Sequence, residues 1–330
     1  MNHIGIVGKV VTSPCMPSRL ESCIMLARLF IQPLLILLAA ASIALAQDVG
    51  TLIPQPLPPL AKPDDPAIPA KQLFGRKTEP APMAARSIGK YSRGCLAGGM
   101  AMPVNGPTWQ VMRLSRNRNW GHPNMIKVLE RLAGKVPKIG WPGLLVGDMS
   151  QPRGGPMLTG HISHQIGLDA DVWFTPMPEY ELSRQEREEK MATNVVTEDW
   201  NDVNPAVWSP LYVTLLKTVA DDPDVERVLV NFAIKKALCR DVTTDRHWLT
   251  KIRIVHGHNY HFHIRIKCPA DNHDCTPDLP TPSHDTCAEE IAHWTANDRY
   301  KPKPPTPSPP GHQLTLSELP PQCRQIVSAP

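Results

Sequence analysis

The sequence predicts an α+β fold: a single domain with a central, mainly antiparallel sheet flanked by helices and long loops, stapled by disulfides. Four observations carry that prediction. The stretch "YHFHIRI" alternates, Tyr260, Phe262, Ile264 and Ile266 facing one way and His261, His263 and Arg265 the other, the period of a half-buried strand. The stretch "HPNMIKVLERLAGKV" sets Met125, Val128, Leu129 and Leu132 on one helical stripe. Such strands and helices follow one another without a regular βαβ alternation. Finally, six cysteines remain once a predicted export signal is removed, and an even number in an exported chain implies disulfides.

From the N-terminus, "MLARLFIQPLLILLAAASIALAQ" puts Arg28 before an apolar run ending in Ala44-Leu45-Ala46, the pattern of a secretory leader cleaved between Ala46 and Gln47. The run falls short of the roughly 20 apolar residues a spanning helix needs, so no stable membrane span is expected in the mature chain. Residues 1–24 lack any such pattern, which leaves Met1 and Met25 both as candidate starts. Cys15 and Cys23 depart with the leader. Cys95, Cys239, Cys268, Cys275, Cys287 and Cys323 remain, and spacing alone favours only Cys268 with Cys275. The leader also carries Lys9, Arg19 and Arg28 against Glu21, so the formal charge of +4 falls towards neutrality on export. That balance excludes a dedicated nucleic-acid binder.

Residues 47–86 are proline-rich and aperiodic, an extended segment over the domain surface. Residues 301–330 open on "KPKPPTPSPPGH" and end in a tail that Cys323 can pin. Between them, residues 87–300 suffice for one core. Strands are expected over 109–115 and 143–150, and over 167–174, where Asp169 and Asp171 share a face. "SRQEREEKM" and "PLYVTLLKTVADDPDV" read as helices, "VERVLVNF" as a strand, "AIKKALC" as a helical turn, and "KIRIV" as the lead into the histidine strand. There is no internal repeat and no glycine-rich phosphate loop.

Chemistry concentrates in two places. Residues 255–266 hold His256, His258, His261 and His263, four of the thirteen histidines. Upstream, a Gly-, Pro- and Ser-rich loop carries His161 and His164 into the strand of Asp171. A loop histidine and a strand carboxylate can converge on one ion. His164, Asp171 and His263 then offer two nitrogens and one oxygen, a set suited to tetrahedral Zn²⁺ with a position left for water. The blander reading makes His161 and His164 turn residues and pairs Asp171 with Arg265.

The combination of H-x6-D (His164, Asp171) with H-x-H (His261, His263) resembles the LAS group of zinc metallopeptidases. The strings "SIGKYSRGCLAGG", "QVMRLSRNRNWGHP", "GDMSQPRGGPMLTGHISHQIGLDADVWF" and "VNFAIKKALC" are similar to the penicillin-insensitive murein endopeptidase family, over about residues 70–325. The resemblance implies one catalytic zinc on His164, Asp171 and His263, with His261 as general base. It implies D-alanyl–meso-diaminopimelyl cross-link peptides of peptidoglycan as substrate, hence a periplasmic enzyme. It also implies the disulfides Cys95–Cys323, Cys239–Cys287 and Cys268–Cys275.

Other residues have candidate roles beside this set. His258 is placed to stabilise an oxyanion or orient a ligand. His161, with Asp199 and Asp202 of "TEDWNDVN", can supply an accessory site for a second ion. Arg153 and Arg265 can grip substrate carboxylates as bidentate donors. The rival functions are a LAS-type D,D-carboxypeptidase and a non-catalytic, zinc-stabilised peptidoglycan-binding module. Neither G-x-S-x-G nor S-x-x-K occurs in a setting suited to an acylatable serine.

Overall fold

The computed structural model describes residues 49–302 and 311–330; the expected leader and its cleavage point lie outside the described residues. In chain order come α1 (Ala70–Phe74), β1 (Arg86–Lys90), β2 (Arg93–Ala97), β3 (Met100–Ala101), β4 (Asn105–Gly106), β5 (Trp109–Val111), β6 (Trp120–Gly121) and α2 (Pro123–Lys135). There follow β7 (Leu144–Val146), β8 (Asp169–Trp173), α3 (Arg184–Glu189), α4 (Pro210–Ala220), β9 (Val225–Val230), α5 (Phe232–Asp241), β10 (Ile252–Ile254), β11 (His261–Ile266), α6 (Cys287–Thr295) and α7 (Gln322–Ser328).

The central sheet runs β10-β9-β11-β8-β7-β5-β4. Only the β10/β9 and β5/β7 pairs are parallel, so the α+β class and the mainly antiparallel sheet are both observed. Alternation on the two middle strands divides their faces. Ala170, Val172, Phe262 and Ile264 are fully buried in the core shared with α2 and α4. Val172, Phe262 and Ile264 each stabilise the fold by roughly 1.5–3 kcal/mol. Asp169, Asp171, His261, His263 and Arg265 take the other face.

Local chemistry sets the ends of the elements. The α2 helix starts where His122 Nδ1 accepts from Asn124 N (3.2 Å) with Pro123 in the first turn, and it buries the expected stripe together with Ile126 and Ala133. A reciprocal capping box between Ser183 and Glu186 opens α3. The helical turn expected at 233–239 is the longer α5, because the Asn231 side chain accepts from Ala233 N at its start.

Two expected strands are shorter than their apolar runs. The run at 109–115 stops at Val111 because Arg113 turns left-handed (φ 56°) and donates to Arg187 O and Lys190 O. The run at 143–150 stops at Val146 and continues as a loop that Ser150 ties to Trp120.

All three disulfides are formed. Cys95–Cys323 joins β2 to α7, and around it Phe74, Ile88, Leu319 and Ile326 build a second small core. The proline-rich segment therefore ends by packing through α1 instead of remaining superficial. Cys239–Cys287 ties α5 to α6. No helix among the described residues is long and apolar enough to cross a membrane.

Candidate metal centre

The antiparallel register of β8 and β11 sets His263 opposite Asp171 and Arg265 opposite Asp169. Directly opposed side chains have Cβ atoms about 5 Å apart, so the sheet alone brings imidazole and carboxylate together. His263 Nδ1 lies 3.2 Å from Asp171 Oδ1. Its other nitrogen, Nε2, donates to Asp169 Oδ1 at 2.8 Å. Asp169 is in turn held by Arg265 Nε at 2.8 Å, and the Arg265 guanidinium stacks 4.0 Å from the Tyr91 ring.

His164 arrives from the loop before β8 in a left-handed conformation (φ 66°), uncommon for a residue with a side chain. Two bonds hold it there: its backbone N–H donates to Asp169 Oδ2 (3.0 Å) and its Nδ1 donates to Met149 O (2.6 Å). The loop needs Gly154 at φ 61°, where an added Cβ would stand 2.0 Å from Gln165 O.

Both imidazoles are thus bonded, through one nitrogen, to groups that only accept. The remaining nitrogens, His164 Nε2 and His263 Nδ1, stand 3.1 Å apart and lie 3.4 and 3.2 Å from Asp171 Oδ1. Asp171 Oδ1 is buried and makes no hydrogen bond. Ligands about 2.0–2.1 Å from one zinc stand about 3.3 Å apart in a tetrahedron, so the spacing of the three atoms fits that ion. Electrostatics point the same way. Burial, with His161 nearby, lowers the pKa of His164 to about 4 and keeps it neutral. Burial also disfavours charge on His263, but Asp169 and Asp171 outweigh it and raise its pKa to about 9. The pocket thus calls for a positive charge, which a proton supplies when no cation does.

The second carboxylate oxygen serves two more histidines. Asp171 Oδ2 lies 3.5 Å from His161 Nδ1 and 3.6 Å from His261 Nε2. His161, His164 and Asp171 form a second, overlapping group able to hold an ion. His161 Nε2 bonds Asp148 Oδ2 (3.0 Å), which Arg116 and Arg118 also hold. Burial lowers the pKa of His161, yet Asp171 and Asp148 raise it overall. His261 is nearly buried, its Nδ1 has no partner, and burial outweighs Asp171 to lower its pKa.

His258 flanks the cluster. Its ring lies 4.8 Å from that of His261, but Nδ1 donates to its neighbour His256 O (2.8 Å) and burial, reinforced by His261 and His263, lowers its pKa to about 3.

The two arginines expected at substrate carboxylates are committed elsewhere. Arg153 is buried, and its guanidinium donates to Glu79 O, Ile326 O, Ala329 O and Pro330 O, so it clamps the C-terminus. Arg265 is bound to Asp169 and Asp278. Asp199 and Asp202 also stand outside the cluster. Asp199 accepts from Thr197 Oγ1 and Asn201 N, while Asp202 pairs with Arg240 at 2.7 Å. Neither carboxylate contributes to the second ion group. Sequence reasoning overlooked Asp148, for which no motif gave a signal. It saw Asp169 share a face with Asp171 but gave it no task, although that shared face was the signal.

Fold and site together define a disulfide-stapled α+β protein built around a buried histidine–carboxylate centre ready for a cation. A family model described as penicillin-insensitive murein endopeptidase matches residues 87–328, and the chain belongs to that family. Proteins so named from Haemophilus influenzae (43% identical, covering 74% of this chain and 84% of the relative) and Escherichia coli O1:K1 (38%, 76% and 89%) are similar to it. So is one from Klebsiella pneumoniae, at 38% identity over the same shares.

Proposed function

We propose that this chain is an exported zinc endopeptidase that hydrolyses D-alanyl–meso-diaminopimelyl cross-links of peptidoglycan. Family membership supports the murein endopeptidase reading, and one observation supports zinc: two imidazole nitrogens bonded only to each other and a buried carboxylate oxygen with no hydrogen bond, 3.1–3.4 Å from one another. His164, Asp171 and His263 would hold the ion. Zinc bound there polarises a peptide carbonyl and makes water nucleophilic at neutral pH.

The chain's own residues do the rest. Asp169 and Met149 O fix the two rings, so that neither reorients when the ion binds. His261, kept neutral by burial and 3.6 Å from Asp171 Oδ2, takes the proton of the attacking water and returns it to the leaving amine. His161 is the remaining candidate ligand for a second ion. Since no serine is acylated in this scheme, β-lactams find nothing to trap.

Incubating the mature protein with purified cross-linked muropeptide dimers tests the reading. Cleavage to monomers that stops with a chelator, returns with zinc and ignores penicillin is expected. Cleavage indifferent to the chelator would overturn the zinc assignment. Release of terminal D-alanine only, with dimers intact, would favour the carboxypeptidase alternative.

A further inference from the structure

We propose that the cleft beside His161 is an anion-binding subsite for the free carboxylates of an acidic peptide, with Lys71, Lys90 and Arg93 as its recognition groups. The proposal rests on the murein endopeptidase reading for the identity of that peptide, since the diaminopimelyl residues beside the cross-link carry carboxylates.

Four separate segments form the cleft, whose volume is about 880 Å³: α1, the β1–β2 turn, the loop carrying His161 and the stretch after residue 311. His161 lines the cleft and also faces Asp171 of the metal centre, so a peptide lying there is continuous with the reacting position. Lys71, Lys90 and Arg93 line it and no carboxylate does. None of the three makes an ion pair or hydrogen bond through its side chain with a described residue. The two arginines best suited in principle to bind carboxylates, Arg153 and Arg265, are occupied by the C-terminus and by Asp169 and Asp278.

The β1–β2 hairpin adds an independent sign. Lys90 and Arg93 are directly opposed at its closing pair, with Tyr91 and Ser92 as the turn. Like charges placed so destabilise a hairpin, and the fold offers this pair no acid. An anion between them removes that cost. The turn is nevertheless rigidly placed: Gln165 accepts from Gly94 N and donates to Ser92 O and Ile162 O, tying the hairpin to the histidine loop. Ile162 stands 82% exposed at the cleft edge, an apolar contact for the alanyl part of such a peptide.

The test is equilibrium binding of a fluorescent cross-linked muropeptide dimer, and of the same dimer with its free carboxylates amidated, to the full zinc-loaded chain carrying His261→Ala to suppress turnover. The acidic dimer should bind roughly tenfold more tightly than the amidated one, with the preference fading as salt is raised. The triple variant Lys71→Gln/Lys90→Gln/Arg93→Gln should lose the preference at unchanged zinc content, whereas Lys90→Arg should keep it. Equal binding of the two dimers, or a triple variant that still discriminates, overturns the subsite. Carboxylate preference in a chain that, with His261 intact, cleaves no cross-link would sink the endopeptidase reading and leave the subsite standing.

Discussion

His263 and Asp171 face each other directly across β11 and β8, and the ring Nδ1 lies 3.2 Å from the carboxylate Oδ1. Register alone produces that contact. A slip of β11 by one residue would send His263 to the core face and bring Phe262 out, so the hydrophobic pattern that folds the sheet also assembles the centre.

Asp169 positions His263 through Oδ1 and the His164 backbone through Oδ2. Asp169→Ala should therefore weaken zinc affinity by roughly 10- to 100-fold although the residue touches no ion. Competition with a chelating dye on folded protein measures it. Wild-type affinity would show that the two rings hold their places unaided.

Arg153 is a structural clamp. Arg153→Ala strands the buried carbonyl of Ile326 and the partly buried ones of Ala329 and Pro330, and should cost roughly 3 kcal/mol of stability. Urea denaturation reads that loss, and KM for cross-linked dimers at a permissive temperature should stay near wild type. A large KM effect with little loss of stability would return Arg153 to the substrate.

Asp222 supplies a pH dependence remote from the centre. Its carboxylate is fully buried against Arg131 (2.6 Å) and Lys135 (3.1 Å). Burial pushes its pKa up, but these partners outweigh that and leave it below the ordinary value. A group with a depressed folded-state pKa stabilises the fold above its unfolded pKa, about 3.9, and loses that contribution as pH falls towards the folded value. Both bases are about 40% exposed, which limits the loss in Asp222→Asn to roughly 2 kcal/mol near neutrality. In denaturation series from neutral pH to about pH 3 the gap to wild type should hold above about pH 5 and shrink below about pH 4. A gap that widens on acidification would contradict this.

The parts of the site that obey a period were legible in the sequence. The alternation of "YHFHIRI" and of "GLDADVWF" put the histidines and Asp171 on strand faces, and the loop composition before Gly167 placed His164 on a turn. What was not legible depends on partners far along the chain. Arg153 meets Pro330 at a separation of 177 residues, and Arg265 meets Asp169 at 96. A sequence shows that an arginine is present and not which acceptors the fold delivers to it. The β1–β2 hairpin escaped notice because its turn, Tyr91-Ser92, lacks the Asn-Gly or Asp-Gly signature that marks tight hairpins.

The central claim is that His263 is a ligand while its strand neighbour His261 is a base. Zinc stoichiometry by elemental analysis, taken together with the rate of muropeptide-dimer cleavage for His263→Ala and His261→Ala, tests that claim most directly. His263→Ala should lose both metal and activity, since three protein ligands become two. His261→Ala should retain one zinc per chain and fall by roughly two to four orders of magnitude in rate. Loss of zinc from His261→Ala, or cleavage by it at the wild-type rate, would contradict the division of labour.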